Sequence, residues 1–159
     1  MRSAAIDVDI SFGCRKWRGR KVFAALARRA IEAAAAGKAD GCVAVRFTSD
    51  LEVSIVNRRW RALDKPTNVL SFPAAPGSEF PGGRAFLGDV VLAYETVAAE
   101  AAAEGKSLAD HAAHLIIHGF LHLLGYDHAA LKQAAAMERL EVKILARLGI
   151  ANPYAAAAP

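Results

Sequence analysis

The sequence predicts an α+β domain: a single mixed β-sheet of about four strands packed against about five helices, with a metal site on a helix and the turn after it. Three observations carry that expectation. Short stretches alternate apolar and polar residues with period two, whereas longer ones repeat with the helical period. The two kinds of stretch interleave, but at uneven intervals. One connection, at Asp64-Lys65-Pro66, is no more than a short break, so a regular βαβ array fits poorly. The first strand-helix-strand segment can still be a parallel crossover.

Ala4 to Ile10 is the first strand, with Ile6, Val8 and Ile10 on one side and Asp7 and Asp9 on the other. From Arg20 to Ala36 the period turns helical, directing Val22, Leu26 and Ile31 to a core and stopping at Gly37. Cys42 to Thr48 reads as the second strand. Ser49-Asp50-Leu51-Glu52 has the form of a capping box, in which Ser49 and Glu52 satisfy each other's backbone donors. It opens a helix to about Arg61 that turns Leu51, Ile55 and Val56 inward. Val69 to Phe72 is a short strand, and Pro73 to Gly83, with three prolines and three glycines, reads as a mobile surface loop. Phe86 to Ala93 is a further strand and Thr96 to Glu104 an alanine-rich helix. A second capping box, Ser107 with Asp110, opens the helix that carries His111, His114, His118 and His122. The last helix, Leu131 to Leu148, turns Met137, Leu140, Ile144 and Leu148 to one side. One domain is expected over residues 1–152, with 153–159 a frayed low-complexity tail.

At 159 residues the chain can bury one core without disulfides. Cys14 and Cys42 match no metal or redox spacing and read as free thiols. The most apolar run, Leu115 to Gly125, is too short to span a bilayer and is interrupted by two histidines. No signal-peptide pattern follows Arg2, so the cytoplasm is the expected compartment and no membrane partner is expected. Charge is unevenly spread. Residues 1–61 hold 13 Lys and Arg against 6 Asp and Glu, whereas residues 62–159 hold 7 against 10. The densest run, Arg15-Lys16-Trp17-Arg18-Gly19-Arg20-Lys21, has two readings. Its cations could neutralise phosphates while an exposed ring stacks on a base. It could equally be a solvated loop and helix start whose Trp17 packs inward. A basic half suits a polyanion better than a neutral peptide.

The eleven residues from His118 to His128, His-Gly-Phe-Leu-His-Leu-Leu-Gly-Tyr-Asp-His, carry the chemistry. His118 and His122 are four apart, so a helix projects both from one face. Gly125 permits the helix to end and turn, and His128 can fold back to the same point. Three neutral imidazoles suit one divalent cation, zinc first, with nickel or copper also acceptable, and leave a fourth position open. The spacing is that of the long zinc-protease motif, except that Gly119 stands where the motif has its general base Glu. Asp89 is a candidate acceptor for a histidine N–H, or else a structural carboxylate. His114 is a candidate for an outer role at the metal, or for packing, and no metal role is expected of His111. Asp127 either orients the site with Tyr126 or serves the turn.

Asn57-Arg58-Arg59-Trp60-Arg61, Asp64-Lys65-Pro66-Thr67-Asn68-Val69-Leu70-Ser71-Phe72-Pro73, Leu87-Gly88-Asp89-Val90 and the triple-histidine stretch follow one another in this order. Together they resemble the YbeY family of bacterial metal-dependent endoribonucleases. The resemblance covers roughly residues 50–145, with Met137 and Glu141 where the family's final helix carries such residues. It implies that His118, His122 and His128 hold one Zn2+ per chain and that Arg61 is the family's functional arginine. It also implies a single-strand-specific endoribonuclease acting in 16S ribosomal RNA 3′-end maturation and ribosome quality control. The implied partners are ribosomal RNA, the small ribosomal subunit and an Era-type GTPase. The chain departs from the pattern at Asn68, where many relatives have Asp, so residue 68 is expected to have no proton-transfer role.

On this reading Arg61 contacts the scissile phosphate, because a guanidinium stays charged and pairs two oxygens at once. Arg15, Lys16, Arg18, Arg58 and Arg59 are candidates to hold the RNA backbone. The nucleophile stays open between a water activated by the metal and the RNA's own 2′-hydroxyl. Two rivals remain: a minimal metalloprotease, against which Gly119 argues, and a non-catalytic, metal-stabilised ribosome-binding factor.

Overall fold

Ile6, Val8, Ile10 and Phe12 alternate with polar residues, and in the computed structural model this alternation seats strand β1 (Ile6–Phe12) against the core. The structure describes residues 5–61, 67–127 and 129–155, the side chains of Trp60 and Arg61 excepted. The expected break at Asp64-Lys65-Pro66 therefore lies outside the described residues. Helix α1 (Arg20–Ala35) returns the chain to strand β2 (Gly41–Thr48), which pairs with β1 in parallel, Val8 beside Val43 and Ile10 beside Val45. The first crossover is thus parallel. There follow helix α2 (Asp50–Arg61), strands β3 (Val69–Pro73), β4 (Glu79–Phe80) and β5 (Arg84–Ala93), and helices α3 (Tyr94–Ala103), α4 (Leu108–Leu123) and α5 (Leu131–Arg147). The main sheet runs β1-β2-β5-β3, with β5 parallel to β2 and antiparallel to both β3 and β4. The mixed α+β sheet is as expected. It has five strands among the described residues because the Pro73–Gly83 segment is not all loop: Glu79 and Phe80 pair with Ala85 and Arg84.

One face of the sheet carries the main core. Phe23, Ala27 and Ile31 of α1 and Ile116, Ile117 and Phe120 of α4 pack with Val43, Val45, Phe47, Val90 and Leu92. Full burial of such side chains contributes about 1.5–3 kcal/mol each and is the principal stabilising term. Trp17 decides between the two readings of the basic run. It is 1% exposed, its Nε1–H donates to the Thr48 carbonyl at 2.8 Å, and its ring meets Phe23, Phe47 and Tyr94 edge-on. It packs.

The expected face of α5 packs inward, as do Leu26 and Ile31 of α1 and Val56 of α2, but three residues expected inside do not. Val22 is 64% exposed and its neighbour Phe23 takes the core position. On α2, Leu51 and Ile55 face solvent, while Val53 and Val56 meet Leu70, Val91 and Ala93 on the opposite face of the sheet. An i, i+4 row of apolar residues does not choose between adjacent rows of one helix; the docking partner does. The box at Ser49 forms by half. Ser49 Oγ accepts from the Glu52 N–H at 3.2 Å, but the Glu52 carboxylate takes the Arg46 guanidinium at 2.7 and 2.9 Å. A bidentate charged pair outcompetes a lone backbone N–H. At Ser107 the Oγ accepts from the Asp110 N–H at 3.0 Å and caps α4. No described helix is long and apolar enough to cross a membrane.

Helix α4 crosses the sheet closely at Gly119. A Cβ there would stand 2.9 Å from both Ser71 Oγ and Val90 Cγ1, and the Ser71 hydroxyl donates to the Gly119 carbonyl at 3.0 Å. Gly119→Ala is therefore expected to destabilise the fold by about 1–3 kcal/mol, although alanine in an open helix would gain about 1 kcal/mol over glycine. Urea denaturation checks this, and an unchanged or raised midpoint would show that α4 has room to shift.

Candidate active site

The helical repeat places His111, His114, His118 and His122 along one side of α4. The helix then ends in a Schellman turn: the Gly125 N–H reaches the His122 carbonyl at 3.0 Å and the Tyr126 N–H reaches Leu121 at 3.1 Å. Gly125 has φ +101°, which a side chain would resist. This turn swings the Tyr126 carbonyl back over the helix, where it lies 2.9 Å from His122 Nδ1. His118 Nδ1 lies 2.9 Å from Glu141 Oε2 on α5. Both oxygens can only accept, so both Nδ1 atoms carry a proton, and in the neutral ring each Nε2 presents a lone pair.

Those two Nε2 atoms are 3.1 Å apart. Lone pairs so close repel unless a cation lies between them. Two nitrogens on a tetrahedral zinc, with bonds of about 2.0–2.1 Å, stand about 3.3 Å from each other. The pair fits a divalent transition metal. Among the described residues no group of three His, Cys, Asp or Glu is placed to complete such a site. His128, the expected third ligand, and the side chain of Arg61 lie outside the described residues.

Behind the pair sits a carboxylate that the helical period alone did not single out. Glu141 is 0% exposed. Its Oε1 accepts from His114 Nε2 at 2.6 Å and from the Tyr154 hydroxyl at 2.5 Å, while Oε2 serves His118. Burial pushes its pKa up, yet the hydrogen bonds from His114, His118 and Tyr154 outweigh burial and hold it at about 2. A signal for it was present: a charged residue four positions after Met137, on a buried row of an amphipathic helix. Asp89, the acceptor weighed from sequence, does not hold either described histidine. Val90 points at Gly119, so strand alternation puts Asp89 on the other face of the sheet, where burial raises its pKa. His114 belongs to the Glu141 cluster, and His111 Nε2 meets Glu100 Oε1 at 2.8 Å.

An open cleft of about 500 Å³ runs beside the pair. One wall is β3 and the residues before it, with Asn68, Ser71 and Pro73; His118, His122 and Asp127 form the other. The Asn68 amide donates to Glu100 Oε1 at 3.0 Å, tying β3 to α3. An Asp at 68 would set two carboxylates against each other, which accounts for asparagine at this position. Arg15, Lys16 and Arg18 are exposed but sit elsewhere. The loop that bears them crosses the ends of β2 and β5, where Trp17 donates to Thr48 and meets Tyr94, and none of the three lines the cleft. Lys16 pairs there with Glu95 at 3.0 Å. Arg58 and Arg59 are exposed on α2 and do not line the cleft.

Fold and site together define a class: an α+β protein that presents a helix-borne imidazole pair, backed by a buried carboxylate, to an open cleft. The chain belongs to the endoribonuclease YbeY family, whose model matches residues 14–149. It is 46% identical over 156 residues to Endoribonuclease YbeY of Chelativorans sp. (strain BNC1), covering 96% of each chain. It is 50% identical over 157 residues to that of Rhodopseudomonas palustris (strain BisA53), covering 95% of this chain and 90% of that one. With the Sphingopyxis alaskensis relative the identity is 59% over 119 residues, 71% of each chain. The fold is shared with the solution structure of TM1509 from Thermotoga maritima, at a TM-score of 0.58 and 22% identity, covering 91% of this chain and 92% of that one.

A carboxyl whose folded pKa is depressed stabilises the fold above its unfolded value, here 4.5, and ceases to do so as pH falls toward 2. The stability difference between the metal-free wild type and Glu141→Gln is expected to shrink by on the order of 3 kcal/mol from pH 5 to 2. Urea midpoints measured across that range test it; parallel curves for the two proteins would show that the carboxylate is not so held.

Proposed function

We propose that the chain is a metal-dependent, single-strand-specific endoribonuclease acting in 16S ribosomal RNA 3′-end maturation and ribosome quality control. The observation that carries the reading is the pair of Nε2 atoms at 3.1 Å, beside an open cleft, in a chain of this family. The relatives' shared name, Endoribonuclease YbeY, supports the reaction class. Zn2+ is the proposed cation, held by His118, His122 and His128. A divalent cation there would polarise a phosphoryl oxygen and lower the pKa of a water to about 7.

The chain's own groups do the remainder. Glu141 and the Tyr126 carbonyl hold the two imidazoles in the tautomer that aims Nε2 at one point. Arg61 pairs the scissile phosphate and offsets its growing charge. The cleft admits a single strand, whose backbone bends freely, more readily than a rigid duplex. Gly119 weighs against peptide hydrolysis, because a Glu there would collide with Ser71 and Val90. Ribosomal RNA, the small subunit and an Era-type GTPase are the proposed partners, and the cytoplasm the proposed compartment.

An end-labelled single-stranded RNA, incubated with wild type and His122→Ala in zinc-containing buffer, is expected to be cut only by the wild type. Equal rates, or no cleavage by either, would favour the ribosome-binding alternative. Arg61→Ala is expected to lower kcat by about 10²–10³ with KM little changed. A change in KM alone would reassign Arg61 to binding.

A further inference from the structure

Tyr154 lies beyond residues 14–149, the stretch that the family model matches, and within the tail expected to fray. It is anchored instead. After α5 the chain turns on Asn152, whose Oδ1 accepts from the Tyr154 N–H at 2.8 Å. The turn sets the phenol ring edge-on to His114, with centroids 5.3 Å apart. The hydroxyl donates to Glu141 Oε1 at 2.5 Å, and its oxygen lies 3.1 Å from His114 Nε2. Burial and the adjacent carboxylate both push the phenol's pKa up, so it keeps the proton it donates.

These contacts divide the Glu141 carboxylate between two tasks. Oε1 takes two donors, His114 and Tyr154, on the side away from the cleft. Oε2 is left to His118. We propose that Tyr154 is a positioning residue of the metal site: by occupying Oε1 it locks the Glu141 carboxylate so that Oε2 stays on the Nδ1–H of His118. The His118 tautomer is thereby kept with its Nε2 lone pair facing His122. The proposal rests on the reading of His118 and His122 as metal ligands. It extends the site from α4 and its turn to a residue 32 positions past His122.

Tyr154→Phe in the full chain removes the hydroxyl and keeps the ring against His114. Tyr154 is 43% exposed, so the change does not open the core. Two readouts are needed. In metal-free protein, the nitrogen-15 spectrum of the histidine rings is expected to show His118 as a single Nδ1–H tautomer in the wild type and as a mixture in Tyr154→Phe. In a chelator competition, the variant is expected to bind zinc about tenfold more weakly, and Tyr154→Ala at least as weakly. The proposal stands only if both the tautomer and the affinity move. Wild-type zinc binding with either readout unchanged in Tyr154→Phe overturns it and leaves the metal reading intact. A wild type that binds no zinc overturns both.

Discussion

Helix α4 lies as close to β3 and β5 as it does because residue 119 has no side chain. With Val90 and Ser71 filling the space a Cβ would need, the helix axis is set by backbone-to-sheet contact. The buried row of Ala112, Ala113, Ile116, Ile117 and Phe120 follows from that approach. So does the height of His118 above β3, and with it the cleft between the helix end and the strand edge. The same contact sets the chemistry. The position after His118 has no room for a carboxylate, so the imidazole pair lacks the general base that a peptidase would place there.

The second constraint is electrostatic. A carboxylate withdrawn wholly from water costs several kcal/mol unless donors surround it. Glu141 meets that cost with three donors, His114 and His118 from α4 and Tyr154 from the turn after α5. Charge-assisted bonds of this kind are the strong ones. In return the carboxylate specifies one tautomer for His118, as the Tyr126 carbonyl does for His122. Both restraints act on Nδ1, and both leave Nε2 to the cleft.

Much of the framework was legible because it depends on neighbours in the chain. Period-two alternation located β1, the stretches read as strands fell on β2, β3 and β5, and capping residues located the starts of α2 and α4. The misreadings concern which side of an element meets something else. Val22 and Phe23 are adjacent on α1 and both apolar, and only the sheet beneath decided that Phe23 goes in. Leu51 and Ile55 form a good apolar row, yet α2 docks through Val53 and Val56. Glu52 was read as a partner for the Ser49 N–H, but Arg46, reaching it from β2, offered a charge. In Pro73–Gly83, turn residues hid a two-residue strand that exists because β5 is there to pair with it.

For the site, the sequence by itself determined that His118 and His122 share a helix face and that Gly125 turns the chain just after them. Those facts follow from a rise of about 1.5 Å per residue and a permissive glycine, both local. Only the tertiary structure decided that Glu141, and not Asp89, accepts the hydrogen bond from His118 Nδ1–H. It alone packed the basic loop's Trp17 over the ends of β2 and β5 and drew Tyr154 in behind the histidines. Each of these depends on how elements far apart in the chain dock. Docking is set by shape, strand order and the need to satisfy buried charge, none of which is encoded in the spacing of residues along a single segment.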